Sequence, residues 1–116
     1  MRFPIIELVD RYAIAVVKHS ETDGANLAEM DFYYGELKRA NINPHHHLIG
    51  ELVQHHALVW SLENNFKNGQ IDSLPLEEIG RIAIQVRDLG RERLRLKNTL
   101  AELYGDPVRE VKQYGS

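Results

Sequence analysis

Cysteine is absent from this chain of 116 residues, which excludes disulfides, thiolate metal sites and a cysteine nucleophile together. No apolar run approaches the ~18 residues of a membrane span, and no signal-peptide pattern opens the sequence. The expectation is a cytoplasmic protein with no membrane partner. A glycine-flanked serine is also missing, so nucleophilic triad chemistry has no anchor. Positive charge is short: 14 Lys and Arg stand against 17 Asp and Glu, a net charge of -3. That balance gives no global electrostatic reason to bind nucleic acid or an acidic membrane.

What is present is the balance of an ordinary folded domain, with 43% hydrophobic and 27% charged residues, in a length that suits one domain. The most strongly patterned stretch runs from Leu74 to Tyr104. Ile79, Ile82, Val86, Leu89, Leu96, Leu100 and Leu103 follow a heptad seam whose single skipped position is Arg93. A helix of about 30 residues reaches roughly 45 Å at ~1.5 Å per residue. The other helices are expected to pack along it.

Ahead of this stretch the pattern predicts three more helices. The first starts near Pro4, and Ile5, Ile6, Leu8, Val9, Tyr12, Ala13, Val16 and Val17 cover most of its circumference. Its charges, Glu7, Asp10, Arg11 and Lys18, share one strip with Ile14, so the helix is mostly buried. After a loop from Ser20 to Gly24, Asn26 and Glu29 resemble a capping box. The second helix carries Leu27, Met30, Tyr34 and Leu37 and ends near Asn41. The third opens with Asn43 as N-cap and Pro44 in its first turn. Leu48, Leu52, Val59, Leu62 and Phe66 form one apolar row, Ile49, Val53 and Trp60 another, and Lys67-Asn68-Gly69 closes it. A turn through Asp72 and Ser73 follows. Gly105-Asp106-Pro107 stops the fourth helix, leaving a tail with Val108, Val111 and Tyr114 available to dock.

Glu7-Leu8-Val9 with Ala13 is echoed by Glu51-Leu52-Val53 with Ala57, a match that two helices under the same packing demand also produce. Three further patches carry a likeness. They are Glu7 to Arg11 followed by Ile14 and Lys18, then Arg93 with Lys97, and finally Leu103-Tyr104-Gly105 with Glu110, Val111, Lys112 and Tyr114. Together they resemble a small family of bacterial and phage proteins catalogued as a domain of unknown function. The chain departs from it with Phe3-Pro4-Ile5-Ile6 where the family usually has a glycine just before the glutamate. The resemblance implies a helical domain and transfers no activity.

Three constellations are candidates for chemistry. His45, His46 and His47 point ~100° apart and cannot easily share a metal, whereas His47, Glu51 and His55 lie on one helical face. That set suits zinc, nickel or iron; against it, a bundle metal site needs ligands from other helices. A histidine hydrogen-bonded within a core or interface is the ordinary reading of His55 and His56. The second constellation is basic. Arg87, Arg91, Arg93, Arg95 and Lys97 against Asp88 and Glu92 leave a surplus of +3, so the remainder of a chain of net -3 carries -6. Arg93 and Lys97 either join a register-fixing ion-pair network with Glu7 and Asp10, or hold a phosphate or carboxylate. Interleaved acids and the lack of an aromatic platform argue against nucleic acid. Third, Glu7 and Asp10 have the Glu-x-x-Asp spacing with which helical nucleotide pyrophosphohydrolases gather magnesium. No matching pair follows on the second or third helix.

These readings converge on an all-α protein, an antiparallel four-helix bundle over residues 1–104 with a long C-terminal helix and a short tail at 105–116. The leading functional expectation is a non-enzymatic interaction or assembly module, a homo-oligomer through the fourth helix, without a cofactor. The alternative is a bundle binding a small anion through Glu7, Asp10, Arg11, Arg93 and Lys97, or a divalent metal through His47, Glu51 and His55, in the extreme a metal-dependent hydrolase.

Overall fold

The computed structural model describes residues 3–67 and 73–111. Four helices make up the fold: α1 (Ile5–Glu21), α2 (Leu27–Arg39), α3 (His47–Lys67) and α4 (Leu76–Leu103). No strand occurs among the described residues. The stop signal at Asn68-Gly69, the turn at Asp72, the side chain of Phe66, and Lys112 and Tyr114 of the tail lie outside what is described.

The helix ends show how local signals were used and where they were diverted. Pro4 stands just before α1 with an extended ψ of 150°, and its carbonyl accepts from Glu7 and Leu8 N–H at 3.0 and 2.9 Å. At the other end Gly24 adopts φ +83°, the left-handed region in which glycine carries no Cβ penalty. Asn26 does precede α2, yet its side chain makes no cap. Its Nδ2 instead donates to the Ala15 carbonyl at 3.0 Å, and Glu29 pairs with Lys18 at 3.7 Å. The capping box therefore does not form, because both of its members are drawn across to α1.

The start of α3 is also displaced from the expected one. The Asn43 side chain accepts from the His45 N–H at 3.0 Å, closing a turn through Pro44 rather than capping a helix. The helix begins at His47, where His46 Nδ1 accepts from the Leu48 N–H at 3.1 Å. In α4, Glu77 and Glu78 fill the first turn, complementing the positive end of the helix dipole.

α1 packs against α2, α3 and α4, and α3 packs against α4. The centre of the fold is therefore α1, not the longer α4. Contacts step in opposite directions along α1 and α2, Arg11 reaching Tyr33 and Lys18 reaching Glu29. They do so along α1 and α4 as well, Ile5 meeting Asp106 and Asp10 meeting Lys97. The core gathers Leu8, Val9, Tyr12 and Ala13 of α1 with Leu37, Ile42, Ile49, Leu52, Leu96 and Leu100.

The heptad seam of α4 is buried unevenly. Gly90, Leu96, Leu100 and Ala101 are buried, whereas Ile79, Ile82, Val86 and Leu89 are half-buried and Leu103 is 61% exposed. Length explains this. At ~1.5 Å per residue the 28 residues of α4 span about 42 Å and the 17 of α1 about 25 Å. Counted from the Asp10–Lys97 contact, α1 ends opposite Val86, and the N-terminal part of α4 projects beyond it.

The tail is held by polar contacts rather than by its valines. Asn98 donates to the Glu110 carbonyl and accepts the Glu110 N–H, both at 3.0 Å. Val108 and Val111 remain 43% and 81% exposed. No helix among the described residues is long and apolar enough to cross a membrane.

Candidate functional site

Where α1 lies between α3 and α4, a polar cluster interrupts the apolar packing. Asp10 Oδ1 meets His56 Nε2 at 2.6 Å and Asp10 Oδ2 lies 3.9 Å from Lys97 Nζ. Lys97 makes a second, closer ion pair with Glu110 of the tail. The Lys97 side chain is only 11% exposed, so its charge needs these two carboxylates. Burial alone would push the Asp10 carboxyl up. The His56 hydrogen bond and the charges of Lys97, His56 and Arg93 more than offset it, and the group titrates below its ordinary 3.8.

A cleft of about 260 Å³ adjoins this cluster, lined by Ile6, Glu7, Asp10, Lys97 and Glu110. Three carboxylates around one ammonium make it a poor place for an anion. Glu7 itself pairs with Arg11 on the solvent side, at 2.5 Å to Nη2 and 3.0 Å to Nε. Arg11 also donates to the Tyr33 hydroxyl at 3.3 Å and lies 4.7 Å above the Phe3 ring.

Of the five residues singled out as anion ligands, the structure thus joins Asp10 to Lys97, sets Glu7 and Arg11 against each other at the rim, and sends Arg93 elsewhere. Arg93 faces a cavity of about 250 Å³ bounded by Ile14, Val17, His56, Val59, Trp60 and Glu63. Its Nη1 is buried with no hydrogen-bond partner among the described residues. Within the basic stretch Arg87 pairs locally with Asp88 and Arg95 with Glu92, each at 3.1 Å.

The histidines are dispersed. His47 is exposed and stacks on His46, ring centroids 4.7 Å apart. Glu51 is exposed, and His55 is half-buried with Nδ1 unpartnered. Among the described residues no group of three or more His, Asp or Glu is placed to hold a metal ion. Residues eight apart on a helix are separated by about 12 Å along its axis, so His47 and His55 need a second element to share a ligand. His45 and His46 are engaged with aromatic rings, those of Tyr34 and Tyr104 at 6.0 and 6.2 Å. Burial, then the neighbouring His47, holds His46 below its ordinary value.

Two members of the polar cluster were not in either candidate set. His56 had a signal, a histidine beside an apolar row, which is the ordinary mark of a hydrogen-bonded interior imidazole. Glu110 was marked only by its place in the closing patch of the resemblance and by the surplus of negative charge outside the basic stretch.

No family model, curated protein or solved structure matches the chain. The molecule is a four-helix protein whose central helix is joined to α3 and α4 through the Asp10 carboxylate, with the tail attached to the same cluster through Lys97.

Proposed function

We propose that the protein is a non-enzymatic assembly module that forms a homodimer through the outer face of the projecting half of α4. The observation that supports this is an uncovered apolar stripe. Leu76 is 86% and Ile84 52% exposed, and Gly80 and Ala83, also exposed, lie between them on the same helical face. A Cβ placed on Gly80 meets nothing within 4 Å, so no packing inside the monomer accounts for a residue that costs about 1 kcal/mol relative to Ala in a helix.

The stripe is complementary to itself. An antiparallel two-fold pairing centred on Ile82 sets Ile84 of one copy over Gly80 of the other, a knob over a gap. The same register sets Glu77 opposite Arg87. This is the self-matching pattern that an isologous contact requires. A single helix pair lies at the small end of stable interfaces, so the dimer is weak and dependent on concentration.

On this reading the Asp10–His56–Lys97–Glu110 cluster fixes the register of α1 against its neighbours. The three patches that resemble the helical bacterial and phage family each contribute to it: Asp10 from the first, Lys97 from the second and Glu110 from the third. That convergence supports a shared packing requirement rather than a shared reaction.

Sedimentation equilibrium tests the reading. The wild type should pass from monomer to dimer over the micromolar to millimolar range. Ile84→Glu should remain monomeric with unchanged helicity, and Glu77→Arg should weaken association that adding Arg87→Glu restores. A wild type that stays monomeric throughout would refute it.

A further inference from the structure

We infer that the groove between α1, α3 and α4 binds a small organic carboxylate with a branched apolar body, its carboxylate taken by Arg93. Four of the seven lining residues are apolar: Ile14 and Val17 from α1, Val59 and Trp60 from α3. Into this wall projects one guanidinium, from a position where the heptad seam of α4 otherwise asks for a leucine or valine.

Arg93 acts on Asp10 through its charge at a distance but makes no direct ion pair in the network. The carboxylate oxygens of Asp10 are already engaged by His56 and Lys97. Glu63 lines the same cavity, yet no ion pair joins it to Arg93 among the described residues. Arg93 Nη1 is left buried without a protein partner. An arginine kept in an apolar seam without a carboxylate is a net cost to folding, and an apolar residue would pack there better. The arrangement is explained by a carboxylate that arrives from outside and accepts two parallel N–H bonds from the guanidinium fork.

The class of anion follows from the surroundings. Arg93 is the one permanent cation of the cavity and Glu63 shares it, while His56 on its edge is turned to Asp10 and Lys97 belongs to the opposite cleft and faces two carboxylates. A doubly charged phosphate would meet too little positive charge; a monocarboxylate matches a single guanidinium. The volume of about 250 Å³ lies just under the usual range for ligand sites, roughly 300–1,000 Å³. It admits a short branched or cyclic body against Trp60 and not a nucleotide.

Trp60 is the single tryptophan of the chain, so its fluorescence reports on this cavity alone. The probes are 4-methylpentanoate, the uncharged 4-methylpentanamide of the same shape, and inorganic phosphate. A saturable change is expected with the carboxylate. The amide should require at least ~30-fold higher concentration, about 2 kcal/mol at 1.4 kcal/mol per tenfold, and phosphate should give none. Arg93→Met should abolish the response while circular dichroism is unchanged, and Arg93→Lys should weaken it at least tenfold by losing the fork. Equal responses to acid and amide would overturn the inference even if Arg93→Met fails to fold. So would saturation by phosphate alone, a linear response without saturation, or a folded Arg93→Met that still responds.

Discussion

Asp106, just beyond the end of α4, caps the first turn of α1: its Oδ2 accepts the Ile5 N–H at 2.8 Å across 101 residues of chain. Pro4, the residue at the cap position, has no side-chain acceptor to offer, so the orphan donor is served from the far end of the domain. The bonds from Ile5 and then from Val108 hold the Asp106 carboxyl below its ordinary value.

Removing this cap should loosen both ends of the chain at once. Asp106→Ala is expected to cost roughly 0.5–1 kcal/mol, the low end for a cap because the carboxylate is partly solvated. Asp106→Asn, which keeps an acceptor oxygen, should recover most of it. Urea unfolding of the three proteins at neutral pH decides. Equal losses in the two variants would mean that charge, not the hydrogen bond, carries the effect.

Asp10 is expected to make stability depend on pH in one direction. Its folded-state pKa lies below the ordinary 3.8, so between the two values the unfolded chain binds more protons and stability rises with pH. The contribution is present above about pH 4 and is lost as pH falls through the lower, folded value. Asp10→Asn should cost about 2 kcal/mol at pH 7, since it leaves the largely buried Lys97 short of a carboxylate and weakens the hydrogen bond to His56. The gap between wild type and variant should close below pH 4; a constant gap from pH 7 to pH 3 would show that Asp10 acts through shape alone.

The tail depends on Asn98. Its amide exchanges two hydrogen bonds with the backbone of Glu110 and so holds the carboxylate that pairs with Lys97. Asn98→Ala should cost about 1–2 kcal/mol and speed hydrogen exchange at the Glu110 amide by an order of magnitude or more, leaving α1 amides near their wild-type rates. Unchanged exchange at Glu110 would mean that the ion pair suffices.

Gly80 should report on monomer and dimer with opposite signs. Because its surroundings are open, Gly80→Ala is expected to raise the stability of the isolated chain by about 0.5–1 kcal/mol through helix propensity. The same methyl group should weaken association by obstructing Ile84 of the second copy. Thermal unfolding at low concentration and sedimentation at high concentration separate the two effects. Stabilisation with undiminished association would remove Gly80 from the interface.

Several features of the fold were legible in residue spacing. Helical periodicity and the punctuation at Pro4, Gly24 and Gly105 located the four helices. The broad apolar coverage of α1 already marked it as mostly buried. Its role as the centre was masked by the longer and more regular seam of α4, since seam regularity measures what a helix can pack against and not what reaches it. Asn26 and Asn43 went astray for a related reason. Each has one short side chain with several backbone groups in range, and tertiary contact in one case and turn closure in the other took the acceptor or donor first.

Of the candidate site, Asp10, Arg93 and Lys97 stood out as charges on apolar faces, but who would meet whom was not readable. The Asp10–His56 contact spans 46 residues, and the Lys97–Glu110 pair depends on a tail with no periodicity of its own. The amino-acid sequence by itself determined the all-helical class, the number and order of the helices and which faces are apolar, because those follow from contacts within four residues along the chain. Only the tertiary structure decided that α1 is the hub, that Lys97 is neutralised while Arg93 is left facing a cavity, and that one face of the N-terminal half of α4 stands exposed. Those outcomes turn on which lengths of helix overlap and which charges come within about 4 Å, distances that local periodicity does not encode.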